Sequence, residues 1–314
     1  MKIIMYHYIK DFKNTEFPKL KGIDVKNFEF QIKYLRSKYK ILNPREIHEI
    51  VKKKENLKDN YCWLTFDDGY IDHYQYVIPI LEKHNLKGSF FPPVRAVLQE
   101  TVLDVNKIQL ILSKNDDHDF LLEEIKKVFS KLTTKNNASS FDNFLRNIDT
   151  TSRYDSSKII LIKSLLQKKL SKEIRNKICD ILFKKYVSND ESLIAKKIYM
   201  NLSQIKEIFD LGHEIGFHCY DHDFLGMLSK IEQSEEILKT LNFFKKNKII
   251  NEQFTMCYPY GDYNSDTLNI LREIHCSIAL TTKVGSVPKS RYVPLEFPRY
   301  DTNDFPLRPS FKKL

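Results

Sequence analysis

The run Trp63-Leu64-Thr65-Phe66-Asp67-Asp68-Gly69-Tyr70 constrains this chain more than any other stretch. Tyr61 to Phe66 is apolar, aromatic and β-branched, which predicts a buried strand, and it stops on two adjacent carboxylates and a glycine. Neighbouring side chains of a strand point to opposite faces, so two acids inside one would force a charge into the core. At the strand's end they can diverge into a solvated cleft, and Gly69 lets the backbone turn sharply beneath them. Strand ends of α/β folds are where such scaffolds keep their chemistry. Taken alone, Asp-Asp-Gly is better read as a surface turn. The remainder of the chain decides.

Before this run, Lys2 to Tyr8 predicts a strand ending on Tyr6-His7, and Asp24 caps a helix over Val25 to Ser37. Ile41-Leu42 is a short strand, and Pro44 opens a helix to about Val51. After it, Tyr74, Val77-Ile78 and Leu81 fall at helical spacing within Ile71 to His84, and Lys87 to Phe91 returns as a strand closed by Pro92-Pro93. Strand-helix-strand alternation implies a parallel α/β sheet or barrel.

From about Val97 to Met200 the chain turns Lys-, Asn- and Ser-rich and reads as helix, with polar breaks near Asn115–Asp119 and Thr133–Ser140. Ile159, Ile162, Leu166, Leu170, Ile174, Ile178 and Ile181 recur at steps of three and four, an amphipathic face. The alternation then resumes. Ser203 caps a helix that Gly212 stops, Glu214 to Phe217 is a strand entering His218, and Ser229 opens a capping-box helix to about Lys246. Gln253 to Cys257 is a strand reaching Tyr258-Pro259-Tyr260-Gly261, Ser265 to Glu273 a helix, and Ser277 to Thr282 a strand, before a tail of little regular structure. The expected organisation is a barrel from 1–96 and 200–314 interrupted by a helical insertion, 97–199. That insertion reads equally as a lid, a partner surface or a decoration.

With 314 residues, 42% of them hydrophobic, the chain can bury a substantial core. Its formal charge of +10 comes largely from lysines scattered over helical stretches, which describes a solvated surface first and attraction to anionic membranes or acidic glycans second. No basic-aromatic motif for nucleic acid is present. The five cysteines form no CxxC pair, and Cys62 and Cys276 sit in apolar runs that suit buried thiols. The N-terminal apolar run is too short for a signal peptide and no stretch approaches a membrane span, so the expectation is a cytoplasmic protein.

His218 and His222 place two imidazoles four residues apart, able to meet one metal ion from a helical turn or tight loop. Alone the pair is a weak signal. It gains weight because it follows a strand, as Asp67-Asp68 does, and parallel strands deliver their C-terminal ends to one face. One carboxylate with two imidazoles and an open position is a catalytic ligand set. Tyr258-Pro259-Tyr260-Gly261 is a third strand-end motif, where a backbone N–H could meet an oxyanion.

Thr65-Phe66-Asp67-Asp68-Gly69, His218-x-x-x-His222 and Pro259-Tyr260-Gly261 together resemble the first three motifs of the polysaccharide deacetylase family, the NodB-homology domain of carbohydrate esterase family four. Lesser matches at Gly88-Ser89-Phe90-Phe91, Gly212 to Gly216 and Ala279 to Thr282 extend the likeness over about two thirds of the chain, leaving out the insertion. The resemblance implies a distorted (β/α) barrel of fewer than eight strands. It also implies divalent-metal hydrolysis of an N-acetyl group on an amino sugar, in a surface polysaccharide or its lipid-linked precursor. The metal would be Zn2+ in the first place, with Co2+, Ni2+ or Fe2+ as alternatives. By position, Asp67 matches the family's catalytic base, Asp68, His218 and His222 its metal ligands, and Tyr260 the residue whose backbone amide helps hold the oxyanion. Two other readings share the scaffold: a sugar deformylase and a catalytically silent glycan-binding domain.

Two departures from the family pattern concern the site. Where the third motif usually has an arginine, this chain has Cys257, and Arg299 is the candidate to orient Asp67 in its stead. The late Leu-x-x-His motif is absent, and the Met5-Tyr6-His7 opening resembles the poly-N-acetylglucosamine deacetylase branch, which makes His7 the expected acid. Asp221 and Asp223 flank His222 as candidates to orient an imidazole, while His73, His84 and His118 read as surface residues.

Overall fold

A computed structural model describes residues 1–133, 138–146 and 148–308. Parallel strands Lys2–Tyr6, Tyr61–Asp67, Ser89–Phe91 and Glu214–Ile215 lie side by side in that order, and Tyr300–Asp301 pairs with the other edge of Lys2–Tyr6. Thr255–Cys257 and Ile278–Leu280 form a further parallel pair. Isolated parallel bridges carry the order onward, Phe217 to Met256 and Leu280 to Phe297. The neighbours thus follow one another in short ladders joined by single bridges rather than one continuous sheet. This is the expected distorted barrel with helices outside.

The layer between the strands and the helices is packed. Ile4, Tyr6, Leu64, Phe66, Phe90, Ile215, Phe217, Met256 and Ala279 are buried in one cluster with the inward faces of the surrounding helices. Tyr6, Phe66 and Phe90 stack as a ladder of rings 5.1 and 4.7 Å apart. At roughly 25 cal/mol per Å² of apolar surface removed from water, such burial is the main stabilising term.

Local signals hold where chemistry is explicit. Asp24 caps Val25–Lys38, Pro44 opens Pro44–Lys52 behind an Asn43 capping box, and Ser229 does the same for Lys230–Asn247. Three expectations change. Asn201, with Gln204 as its box partner, caps Leu202–Asp210, not Ser203. The amphipathic run 159–183 is not one helix: Ser157–Ser164 passes into a π-helical turn, Leu165–Lys169, and Leu170 adopts an extended conformation before Lys172–Tyr186 begins. Ile181 is consequently exposed while Leu182 is buried. The tail is not irregular throughout, since Tyr300–Asp301 is a barrel strand.

The chain divides into two compact units, one formed by 1–11, 21–101 and 195–314, the other by 12–20 and 102–194. The second overlaps the expected 97–199 and also takes in 12–20, which no sequence signal assigned to it. Lys19 pairs with Asp116, Lys114 donates to the Glu16 carbonyl at 3.3 Å and lies over the Phe17 ring. Inside this unit Lys107 is buried between Asp180 and Glu191, at 2.6 and 2.9 Å. The expected polar break at Thr133–Ser140 falls partly on 134–137, outside the described residues. Among the described residues no helix is long and apolar enough to cross a membrane.

Candidate metal centre and active site

The strand Tyr61–Asp67 runs through the core and delivers Asp67 to the C-terminal end of the barrel strands. Asp68 then turns left-handed at φ 70°, and Gly69 follows at φ 69°. A β-carbon on Gly69 would lie 2.7 Å from Pro92 Cβ, so both conformation and space demand glycine here. The turn sends the two carboxylates to different partners.

Asp68 Oδ1 lies 3.2 Å from His218 Nε2 and 3.3 Å from His222 Nε2, and the two imidazole nitrogens are 3.1 Å apart. His218 Nδ1 donates to the Cys257 carbonyl at 2.8 Å, which leaves Nε2 of the neutral ring as a lone pair. Asp68 Oδ1 is buried with no hydrogen-bond donor directed at it. Three acceptors therefore converge on one point. Ligand bonds of about 2.1 Å put donor atoms about 3.4 Å apart at tetrahedral angles and about 3.0 Å apart at right angles. The observed triangle falls between these limits, so the residues present fit a divalent cation.

The same field draws protons. Burial raises the pKa of Asp68, but the two imidazoles outweigh it and hold the carboxyl well below its ordinary value. Burial lowers that of His218, while Cys257, Asp68 and Asp67 raise it well above the usual imidazole range. His222 is lowered, by burial first and then by the neighbouring His218, with Asp68 opposing.

Asp67 stays off this triangle. Arg299, buried and 232 residues away in sequence, grips it with both arms: Nη1 donates to Oδ1 at 2.9 Å and Nη2 to Oδ2 at 2.8 Å. The remaining donors reach Thr65 Oγ1 at 3.2 Å, the Thr281 carbonyl at 3.0 Å and Cys257 Sγ at 2.9 Å. All five N–H groups of the guanidinium are thus used. Burial pushes Asp67 up, but Arg299, His218 and His7 more than offset it and the carboxyl stays below its ordinary pKa. His7, just past the first strand, has a side chain 40% exposed, with Nε2 3.9 Å from Asp67 Oδ2.

Tyr260 occupies the turn Pro259–Gly261 at φ 57°, its ring stacked on Phe224 at 3.7 Å and edge-on to His222 at 4.7 Å. With Asp68, Cys219 and His222, it makes four non-glycine residues of the site in the left-handed region. Each such residue costs on the order of 1–3 kcal/mol, and strain of this kind gathers where a site must be held in one geometry.

All seven residues singled out from the sequence, His7, Asp67, Asp68, His218, His222, Tyr260 and Arg299, lie at this end of the barrel. Three further assignments change. Asp221 does not orient an imidazole; it pairs with Arg95 at 3.2 Å. His73 is not a surface residue but fully buried, and its Nε2 donates to the His7 carbonyl at 2.8 Å. Tyr70 was given no role, yet its hydroxyl donates to Asp68 Oδ2 at 2.6 Å, and burial, then the Asp68 charge, pushes its pKa well up. The signal for His73 was present in its four-residue spacing from Val77. Nothing in the sequence signals that Tyr70 folds back on its neighbour.

Comparisons with known proteins give the lineage and the fold. The family model for polysaccharide deacetylases matches residues 54–110 and 168–278, together more than half of the chain. YxkH of Bacillus subtilis (strain 168) is 33% identical over 92 residues, which span 29% of this chain and 31% of that protein. The Streptococcus pyogenes deacetylase PplD, solved in complex with acetate, superposes with a TM-score of 0.56 at 17% identity, covering 96% of this chain and 91% of that one. IcaB from Ammonifex degensii gives 0.55 at 16% identity, covering 95% and 89%. At these identities the two structures speak for the fold, and the family model for the lineage: the chain belongs to the polysaccharide deacetylase family.

Proposed function

We propose that this protein is a metal-dependent hydrolase that removes N-acetyl groups from an amino sugar of a surface polysaccharide or its lipid-linked precursor. One observation carries the reading. Two adjacent carboxylates part company, Asp68 joining His218 and His222 around a cation-sized triangle while Asp67 turns to Arg299 beside it. A divalent cation, Zn2+ in the first place, held by Asp68, His218 and His222 would polarise the amide carbonyl and acidify a water.

Asp67 accepts the proton of that water as its oxygen adds to the carbonyl carbon. Arg299 keeps Asp67 ionised and fixes both of its oxygens, so the base enters the reaction already oriented. The backbone N–H of Tyr260 serves the developing oxyanion. His7, accessible and within 3.9 Å of Asp67, hands a proton to the departing nitrogen as the C–N bond breaks, leaving acetate and a free amine. Arg299 thereby takes the place that Cys257 vacates in the family's third motif. Five free, buried cysteines suit a reducing, cytoplasmic setting, and the +10 charge suits peripheral contact with an anionic membrane that carries the substrate.

The test is acetate release from N-acetylglucosamine oligomers by the purified chain, before and after chelation and with metal restored. Turnover should vanish with chelator and return with Zn2+. Asp67→Asn should lose roughly 10²–10⁴-fold while retaining metal. An Asp67→Asn protein with full activity would remove the base from this scheme, and unchanged turnover in His7→Ala would remove the acid.

A further inference from the structure

We propose that Tyr70 is a positioning residue for the cation: its hydroxyl decides which oxygen of Asp68 meets the two imidazoles. This rests on the reading of Asp68, His218 and His222 as metal ligands. A carboxylate offers two equivalent oxygens, and the terminal torsion of aspartate is broad, so backbone placement alone does not select one of them. Here the selection comes from outside the triangle. The Tyr70 hydroxyl donates to Oδ2 at 2.6 Å, and Oδ1 alone faces His218 and His222. Asp68 is held as a one-oxygen ligand, which keeps coordination positions open for water and substrate.

The phenol is itself anchored on both faces. Tyr8 stacks on it with centroids 3.8 Å apart and planes 20° from parallel, and Tyr199 lies nearly parallel at 6.3 Å. Its backbone is fixed as well: Tyr70 and Tyr199 form an antiparallel bridge, and the Gly69 carbonyl accepts from the Met200 N–H at 2.9 Å. Tyr70 is fully buried, and its side chain also hydrogen-bonds that of Tyr8, which helps hold the phenol in place. A hydrogen bond that orients a metal-ligating carboxylate typically governs metal affinity by 10–100-fold.

The experiment measures Zn2+ dissociation constants of the full chain, stripped by chelation, in competition with a chromophoric chelator. Tyr70→Phe keeps the ring and its stacking and should bind Zn2+ about 10–100-fold more weakly. Tyr6→Phe is the matched control, since it also removes a buried phenol's 2.6 Å hydrogen bond, there to Gln31 Oε1. It should lose stability without moving the constant. Should Tyr70→Phe fail to fold, Tyr8→Leu removes both the ring stacked on Tyr70 and its hydrogen bond to the Tyr70 side chain, and should weaken Zn2+ binding severalfold. Wild-type constants in the folded variants would overturn the role of Tyr70. A wild-type chain that binds no Zn2+ would instead overturn the metal reading, and this inference with it.

Discussion

Replacing Arg299 by methionine tests how the site holds its base. Methionine is likewise unbranched and fills the stem of the arginine, so the core keeps much of its volume, but five donors disappear at once. Asp67 then stands buried without its main counter-charge, and removing one partner of a buried ion pair costs about 3–5 kcal/mol. That is a large fraction of the roughly 5–15 kcal/mol that keeps a domain folded. The cost depends on pH in a way that mere loss of packing does not. In the wild type the Asp67 carboxyl lies below its ordinary pKa, because Arg299, with His218 and His7, outweighs burial. Without Arg299, burial raises the folded pKa above the unfolded value of about 3.9. The variant's folded state then binds a proton that its unfolded state does not, so its stability recovers as pH falls, by up to about 1.4 kcal/mol per pH unit. Urea unfolding of both proteins with chelator present, at pH 8 and pH 5, reads the difference directly. The gap should be about 3–5 kcal/mol at pH 8 and narrower by at least about 1 kcal/mol at pH 5. A gap that is independent of pH, or below about 1 kcal/mol throughout, would show that Arg299 does not carry the charge of Asp67.

Three other outcomes are expected. His73 is buried with its pKa pushed down to about 4, chiefly by burial, so it stays neutral in the fold while the unfolded residue protonates near 6.5. Its share of stability is present above pH 6.5 and lost on acidification toward 4, about 2 kcal/mol by pH 5, and His73→Gln should flatten the urea midpoint over that window. Gly69→Ala must hold an alanine at φ 69° against Pro92, and should lower thermal stability by more than about 2 kcal/mol; an unchanged melting temperature would contradict the described turn. Because His218 has a raised proton affinity at the triangle, Zn2+ affinity should fall steadily between pH 8 and 6 in chelator competition, and a flat profile would count against His218 as a ligand.

Much of this was legible in the sequence because the relevant chemistry is local. A strand that stops on Asp67-Asp68-Gly69 must place its acids at a barrel mouth, and caps such as Asp24 and Ser229 announce helix starts within one residue. Periodicity failed where two solutions satisfy it equally. The run 159–183 keeps a regular apolar spacing across Leu170, yet the chain leaves the helix there, and spacing alone carries no record of that break. Asp67, Asp68, His218 and His222 follow strand ends and could be found by eye. The burial of His73 was signalled by its spacing from Val77, whereas the Tyr70–Asp68 contact and the full set of Arg299 partners could not be found, because they exist only once the chain has folded. The partition of 12–20 into the second unit has the same cause, since Lys19 and Asp116 meet across almost a hundred residues.

The strands Lys2–Tyr6 and Tyr300–Asp301 are neighbours in the sheet, Ile4 beside Tyr300, so His7 and Arg299, far apart in sequence, reach the same cleft. A ribosome making this protein therefore releases His7, Asp67 and Asp68 long before Arg299, which grips Asp67 with both arms. Until Arg299 is added, the nascent chain holds Asp67 without the guanidinium that grips it. Hydrolytic competence should thus arrive as a single late event in synthesis, when Tyr300–Asp301 slides in beside Lys2–Tyr6.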